Sequence, residues 1–150
     1  SITIDNAGIE SRTFHVRDGL GIKLWQRQQF QFGLLSARNS QAVKLRAAEL
    51  GIELVRQGFR DKLPIARELF QTLGIRPEEV CYIGDDLPDL PLMAEVGLAV
   101  AVADAVPEEC KSARWVTENH GGRGAVREVI ERLLKGKGLW EPDTPIYARH

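Results

Sequence analysis

Three aspartates stand close together where an apolar run ends, in the segment VCYIGDDLPDLPLM (80–93). They are Asp85, Asp86 and Asp89, and Gly84 directly before them lets the backbone turn sharply. Carboxylates repel one another, and a hard divalent cation removes that repulsion. Mg²⁺ is commonly held by one or two carboxylates together with waters and phosphate oxygens. Helix capping is the alternative, and it accounts more easily for one or two of the aspartates than for three.

A lysine stands at the predicted start of a helix in the segment DKLPIARELF (61–70). Asp61 is a suitable N-cap and Pro64 suits the first turn, so Lys62 is expected near the helix N-terminus. The helix dipole disfavours a cation there, and such a lysine is often merely solvated. Beside a phosphate, however, the lysine and the helix N-terminus attract the same anion.

A hydroxyl group and an arginine follow another apolar run, in the stretch GLLSARNS. Ser36 at the strand end, followed by backbone N–H groups, is suited to binding a phosphate, and Arg38 is suited to clamping an anion. The other interpretation is that Ser36, Asn39 or Ser40 caps the next helix. Both interpretations can hold at once if different residues serve them.

Two further groups leave their interpretation open. Arg46, about two turns into the following helix, either faces the same site or is solvated. The glycine-rich stretch GGRG (121–124) precedes a predicted helix, and it is either an anion-binding loop or a flexible helix entry.

The elements that must position these groups alternate between helices and apolar strands. Helices are predicted at 18–30, 40–50, 62–73, 89–96, 107–113 and 123–135, and strands at 31–36, 52–55, 80–84, 98–102 and 114–117. Two short strands are expected within residues 1–16, and an irregular tail over 136–150. This alternation predicts one α/β domain over residues 1–150, with a Rossmann-like parallel sheet, helices on both faces and an N-terminal β-hairpin.

The candidate residues fall at equivalent ends of the predicted strands. Ser36 and Asp85 end two strands, Lys62 follows a third and GGRG follows a fourth. Ligands of open parallel sheets bind outside the carboxyl ends of the strands. We therefore expect these groups to converge at one edge of the sheet and to form an active site.

The bulk composition excludes several classes of partner. The 150 residues carry a net charge of −1, which gives no broad attraction to nucleic acid or to a membrane surface. No apolar run approaches the roughly 20 residues that span a bilayer. Cys81 and Cys110 have neither metal-site spacing nor disulfide-scaffold density, which indicates reduced thiols in a cytoplasmic protein.

The order of Ser36, Lys62 and GDDLPD (84–89) resembles motifs two, three and four of the haloacid dehalogenase superfamily of phosphohydrolases. Longer stretches are similar to the 3-deoxy-D-manno-octulosonate 8-phosphate phosphatase family over most of residues 1–140. They are FHVRDGLGIKL, SARNSQAVKLRAAELGI, VRQGFRDKL, YIGDDLPDLPLM, VGLAVAVADA and GGRGAVREV.

The resemblance implies Mg²⁺-dependent hydrolysis of an acidic sugar phosphate through an aspartyl-phosphate, as part of lipopolysaccharide biosynthesis. By the match, Ser36 hydrogen-bonds the phosphate and Lys62 neutralises the charge of nucleophile and phosphate. Asp85 binds Mg²⁺, and Asp89 supports that cluster. These four residues are the implied catalytic set.

The resemblance also implies how the sugar and the subunits are recognised. Arg38 and Arg46 are candidates for binding the acidic sugar. Members of the family are commonly homotetramers, with the hairpin that matches residues 1–16 packed between subunits. Their C-terminal tail can reach a neighbour's site, so the tail here is expected to be a lid.

Two departures from the family pattern stand out. The second motif usually reads Thr-Gly-Arg and here reads Ser-Ala-Arg, so the hydroxyl is kept while Ala37 makes the backbone less permissive. The Asp-x-Asp motif that carries the nucleophile is absent from the sequence. In the family it lies just upstream of the segment that matches SITIDNAG. We therefore expect the motif to precede Ser1, and the 150 residues alone to be inactive.

Three alternatives remain beside this interpretation. The first alternative is that the substrate is another acidic sugar phosphate, such as a nine-carbon one. The second is that the domain is an inactive oligomerising module, if Asp-x-Asp is truly missing. The third is that the chain is a response-regulator receiver domain, which combines similar residue types on a parallel sheet. Its acidic pair comes first in the chain, whereas here Ser36 and Lys62 precede the aspartates, which argues against it.

Overall fold

The structure is a computed structural model that describes residues 2–142. The chain divides into two compact units. Among the described residues, the first unit comprises 2–33, 40–55 and 122–142, and the second unit comprises 34–39 and 56–121. The part of the tail from 143 onward, and with it most of the predicted lid, lies outside the described residues.

The elements follow one another in the alternating order predicted from the sequence. They are β1 (Ile2–Ile4), β2 (Glu10–Arg12), α1 (Val16–Arg27), β3 (Gly33–Ser36), α2 (Gln41–Glu49), β4 (Leu54–Gln57), α3 (Lys62–Leu73), β5 (Cys81–Gly84), α4 (Leu90–Met93), β6 (Leu98–Ala101), α5 (Pro107–Ser112), β7 (Trp115–Val116) and α6 (Ala125–Gly136). Single-turn 3₁₀ helices precede β5 and α4, at Pro77–Glu79 and Leu87–Asp89.

The predicted strand at 52–55 is placed two residues too early. Ile52 is buried, and its N–H donates to the Ala47 carbonyl at 2.8 Å, so it completes the end of α2. β4 therefore begins only at Leu54. The apolar pattern did not distinguish a residue that ends a helix from one that begins a strand.

The first unit contains a β-hairpin and a packed pair of helices. β1 and β2 pair antiparallel, with Ile2 opposite Arg12 and Ile4 opposite Glu10. Asp5 Oδ1 accepts hydrogen bonds from two backbone N–H groups of the turn between them. α1 packs against α6 over a core that includes Ile22, Leu24, Val129, Ile130 and Leu134.

The second unit is built around a parallel sheet in the order β5-β6-β7. The central strand β6 reads LAVA, and the last three residues of this strand are buried. All four side chains are apolar because a middle strand of a parallel sheet is covered on both faces. β3 and β4 pair as a separate two-stranded sheet. The α/β class and the parallel pairing predicted from the sequence are confirmed.

Helix α3 begins at Lys62, one of the candidate site residues, and both of its ends are well defined. The Asp61 carboxylate accepts a hydrogen bond from the Leu63 N–H at 3.3 Å, so Lys62 is the first helical residue. Gly74 ends the helix in the left-handed conformation at φ 66°. None of the helices between residues 2 and 142 combines the length and apolar character needed to cross a bilayer.

Candidate active site

Asp89 is the centre of a hydrogen-bonded cluster in the second unit. It is 2% exposed, and its Oδ1 accepts from Lys62 Nζ at 2.7 Å and from the Tyr82 hydroxyl. Its Oδ2 accepts from the N–H groups of Asp85 and Asp86 at 2.9 and 3.2 Å. Burial alone would raise the pKa of Asp89. The hydrogen bonds outweigh burial and lower this pKa, with Lys62 and Tyr82 contributing most.

Lys62 is fixed in this cluster by its ion pair with Asp89. The side chains of the two residues are 14% and 2% exposed, so the pair is largely withdrawn from water. A paired charge in such surroundings is strongly held, because removing one partner leaves the other buried and uncompensated. The ammonium group of Lys62 therefore has a defined position, from which it can also attract a phosphate.

Asp85 is exposed and lies directly after β5. Its backbone N–H donates to Asp89, and its carbonyl accepts from the Val106 N–H at 3.1 Å, so its main chain is held from two sides. Loss of part of its water shell and the charge of Asp89 raise the pKa of Asp85, while Lys62 opposes this rise. A divalent cation beside Asp85 would stabilise the charged form that these neighbours disfavour.

Asp86 caps the 3₁₀ helix that follows. Its Oδ1 accepts from the Leu87 N–H at 2.7 Å, and its own N–H donates to Asp89. The capping interpretation therefore applies to Asp86. The three aspartates therefore differ: Asp89 is buried in an ion pair, whereas Asp85 and Asp86 are both exposed, and of these two Asp86 caps a helix and Asp85 follows the strand end.

A fourth carboxyl group lies against the same turn. Glu109 is 0% exposed, and neither of its side-chain oxygens has a hydrogen-bond partner among the described residues. A Cβ atom on Gly84 would stand 2.8 Å from Asp89 Cβ and 2.9 Å from Glu109 Oε2, so glycine is the residue that fits there. Burial, followed by the charges of Asp89 and Asp85, raises the pKa of Glu109 to about 7.

Ser36 is connected to this cluster through a loop, not by a direct hydrogen bond within residues 2–142. The Gly58 N–H donates to the Ser36 carbonyl at 3.0 Å, which fastens the loop that leads into Lys62. Gly58 has φ 83°, and the Asn39 side chain occupies the space where its Cβ would stand. Ser36 Oγ accepts from the Arg38 N–H at 3.3 Å.

The cap of α2 is Ser40. Its Oγ accepts a hydrogen bond from the Val43 N–H at 3.3 Å. The capping interpretation therefore applies to Ser40 and leaves Ser36 available for another role. Arg38 is exposed, and its role in binding an acidic sugar stays a prediction.

Arg46 lies in the first unit, within α2. Its Nη1 pairs with Glu49 Oε2 at 3.1 Å, one helical turn further on. A Cβ on Gly19 would stand 2.4 Å from Arg46 Nη2, so the guanidinium packs on the backbone of α1 at this glycine. These contacts position Arg46 within its own unit, and its role towards a sugar stays a prediction.

Two backbone N–H groups at the start of α6 donate to a carboxylate of the protein itself. Asp18, 9% exposed, accepts from the Gly124 N–H at 3.4 Å and from the Arg127 N–H at 2.9 Å. One interpretation of GGRG was a loop whose backbone N–H groups bind an anion. The carboxylate of Asp18 occupies the position that such an anion would take. The other alternative, a glycine-rich entry to the helix, describes this stretch.

Two residues of the cluster, Tyr82 and Glu109, were not singled out by the sequence analysis. Tyr82 had a detectable signal: a strand alternates its faces, so a hydroxyl two residues before Gly84 lies on the face of that glycine. Glu109 had none, since Glu108 and Glu109 in the first turn of a helix are typical of solvent-exposed acids that complement the helix dipole.

Asp85 can supply one ligand of a magnesium site. No group of three or more His, Cys, Asp or Glu side chains in the described part of the chain is arranged to hold a metal ion. Mg²⁺ does not need such a group, because waters and phosphate oxygens commonly complete its six ligands. One exposed carboxylate beside a fixed lysine is therefore compatible with Mg²⁺ that takes its other ligands from elsewhere.

Residues 27–130 match the haloacid dehalogenase-like hydrolases. The chain is 47% identical over 143 residues to the 3-deoxy-D-manno-octulosonate 8-phosphate phosphatase of Yersinia pestis, covering 95% of this chain and 76% of that protein. It is 44% identical over 137 residues to the enzyme of the same name from Escherichia coli K12, covering 91% of this chain and 73% of that protein.

Solved structures are similar over nearly the whole chain. The crystal structure of the Yersinia pestis phosphatase has a TM-score of 0.91 at 45% identity, covering 93% of this chain and 75% of that chain. The Moraxella catarrhalis phosphatase, solved in complex with a magnesium ion, a phosphate ion and a KDO molecule, has a TM-score of 0.87 at 38% identity. That comparison covers 90% of this chain and 78% of that chain.

Proposed function

Because this chain belongs to the 3-deoxy-D-manno-octulosonate 8-phosphate phosphatase family of haloacid dehalogenase-like hydrolases, we propose that it hydrolyses that sugar phosphate with the help of Mg²⁺. The observation that carries the proposal is the cluster in which Asp89 fixes both Lys62 and the backbone of Asp85. A relative of the same fold was solved with magnesium, phosphate and the sugar acid. The fixed Lys62 is suited to binding a phosphate, and the exposed Asp85 carboxylate is suited to binding magnesium.

Each residue of the cluster has a role in this proposal. Asp85 is a ligand of Mg²⁺, which when bound neutralises charge on the phosphoryl oxygens. Lys62 attracts the phosphate and balances the negative charge around it. Asp89 holds these two residues in place through its hydrogen bonds. The Ser36 hydroxyl donates to a phosphate oxygen, and the loop at Gly58 holds its backbone.

We propose that the reaction uses an aspartate nucleophile, as the resemblance to the family implies. The 150 residues contain no Asp-x-Asp pair, and the family's first motif lies upstream of the segment matching residues 1–8. Arg38 is proposed to bind the sugar carboxylate, because guanidinium pairs well with carboxylates, and Arg46 stays a separate candidate for recognition of the acidic sugar.

The proposal extends to assembly and location. The first hairpin exposes apolar side chains, with Ile2, Ile4 and Ile9 at 44%, 59% and 60%, as expected of a surface that packs between subunits of a homotetramer. Cys81 and Cys110 are free thiols, which is typical of the reducing cytoplasm. Light scattering on the purified protein tests the tetramer: a monomer at micromolar concentration would contradict it.

The activity is tested by phosphate release from 3-deoxy-D-manno-octulosonate 8-phosphate. The protein is expressed from the complete gene, and release is measured with Mg²⁺ and with chelator, beside a nine-carbon acidic sugar phosphate and a neutral hexose phosphate. We expect turnover that needs Mg²⁺ and a kcat/KM highest for the eight-carbon substrate. A higher value for the nine-carbon acid would reassign the substrate, and no turnover of any phosphate would overturn the proposed function.

A further inference from the structure

One buried carboxyl group in the second unit has no part in the chemistry proposed above. Glu109 is the third residue of α5 and is 0% exposed, and neither of its oxygens has a hydrogen-bond partner among residues 2–142. An ionised carboxylate in such surroundings is strongly disfavoured, and an apolar side chain would occupy the place at lower cost. An unsatisfied buried polar group of this kind calls for an explanation.

The carboxyl group of Glu109 lies against the turn that carries Asp85. A Cβ atom on Gly84 would meet Glu109 Oε2 at 2.9 Å and Asp89 Cβ at 2.8 Å, so the two side chains close over the same face of this glycine. The start of α5 is also tied to the turn. The Val106 N–H donates to the Asp85 carbonyl at 3.1 Å, and the Glu109 N–H donates to the Val106 carbonyl at 3.0 Å.

These contacts make the length of the Glu109 side chain the critical property. A side chain shorter by one methylene group would leave the Gly84 face open, and the backbone of Asp85 would be held by fewer contacts. Charge is not required for this packing.

We propose that Glu109 is a positioning residue for the divalent cation: its side chain, packed against Gly84 beside Asp89, keeps the Asp85 carboxylate where the cation binds. The proposal rests on the proposed function, which assigns the cation to Asp85. Glu109 acts through its length, so a neutral side chain of equal length replaces it.

Two substitutions separate length from charge. Glu109→Gln keeps the length and removes the ionisable group, whereas Glu109→Asp keeps the ionisable group and shortens the side chain. The adjacent Glu108 is exposed and is the matched control, because Glu108→Asp makes the same chemical change at the surface. The complete gene product is used. Mn²⁺ binding is followed by electron paramagnetic resonance, and phosphate release is titrated with Mg²⁺.

We expect Glu109→Asp to weaken Mn²⁺ binding about 10-fold or more and to raise the Mg²⁺ concentration for half-maximal rate equally, as for other groups that orient metal ligands. The kcat at saturating Mg²⁺ should stay within about threefold, because the reacting groups are unchanged. Glu109→Gln and Glu108→Asp should bind Mn²⁺ within about twofold of the unsubstituted protein.

Each other outcome overturns one part of the reasoning. Unchanged Mn²⁺ binding in Glu109→Asp would mean that side-chain length has no role. Weakened binding in Glu109→Gln, equal to that of Glu109→Asp, would mean that charge matters. If Glu109→Asp does not fold, Glu109→Met decides in its place: wild-type binding supports length, and weakened binding refutes it. An unsubstituted protein that binds no Mn²⁺ and works equally in chelator would refute the proposed function instead.

Discussion

Replacing Asp89 by asparagine should destabilise the second unit severely. Asp89 is 2% exposed, and Lys62, Tyr82 and two backbone N–H groups all donate to its two oxygens. In asparagine an NH₂ group replaces one carboxylate oxygen, so this NH₂ donor faces two other donors and a hydrogen bond is lost with each. The substitution also removes the negative charge that balances Lys62. Removing one partner of a buried ion pair costs about 3–5 kcal/mol. At this chain length that corresponds to a fall in Tm of roughly 10 °C.

The matched control is a carboxylate in an exposed ion pair. Glu95 pairs with Arg67, and the two side chains are 29% and 57% exposed. Glu95→Gln should destabilise the protein much less than Asp89→Asn does, because surface pairs are screened by water and salt. Both variants are unfolded with urea in the presence of chelator, so that bound metal does not contribute to the free energy of unfolding.

A double-mutant cycle isolates the ion pair itself. With Lys62→Met in the background, Asp89→Asn no longer leaves a buried cation unpaired. The free energy of unfolding lost in the double variant should therefore be smaller, by about 1–3 kcal/mol, than the sum of the losses in the two single variants. If Asp89→Asn costs no more than Glu95→Gln, or if the two losses are simply additive, the claim that Asp89 organises the cluster is wrong.

Three further changes follow from the same contacts. Tyr82→Phe removes a hydroxyl that donates to Asp89 and should lower the free energy of unfolding by about 1.5–3 kcal/mol in urea; a change under about 0.5 kcal/mol would contradict it. Asp18→Ala removes the acceptor at the start of α6 and should cost about 1–2 kcal/mol, whereas unchanged urea unfolding would show that water replaces it. The pKa of Glu109 lies at about 7 in the folded chain, above its ordinary 4.5, so the folded state binds more protons between these values and the free energy of unfolding falls as the pH rises through them. In chelator, Glu109→Gln should abolish up to about 3 kcal/mol of that fall, and parallel pH profiles for the two proteins would refute the shift.

The sequence predicted the elements because each one carries a regular pattern. Continuous apolar residues in LAVA predicted a buried parallel strand, and Asp61 with Pro64 predicted the start of α3. The ends were less predictable where two elements compete for one apolar residue. Ile52 is such a case, since its backbone completes α2 and not β4.

The candidate site was predictable in its charged residues and not in their division of labour. Crowded aspartates and a helix-start lysine predicted that Lys62 and Asp89 belong together, because parallel strand ends converge. Which aspartate caps, pairs or faces solvent depends on the backbone geometry after Gly84, which no residue pattern reveals. Glu109 was unpredictable, because a buried acid in a first helical turn has the same sequence signal as an exposed one.

The central claim is that the exposed carboxylate at the end of β5 holds the divalent ion, and Asp85→Asn tests it most directly. The variant and the control Glu108→Gln are titrated with Mn²⁺ under electron paramagnetic resonance, and phosphate release is measured at high Mg²⁺. We expect Asp85→Asn to bind Mn²⁺ at least 10-fold more weakly and to lose Mg²⁺-dependent turnover, with the control unchanged. Full metal binding and a full rate in Asp85→Asn would contradict the assignment of this residue as the ligand.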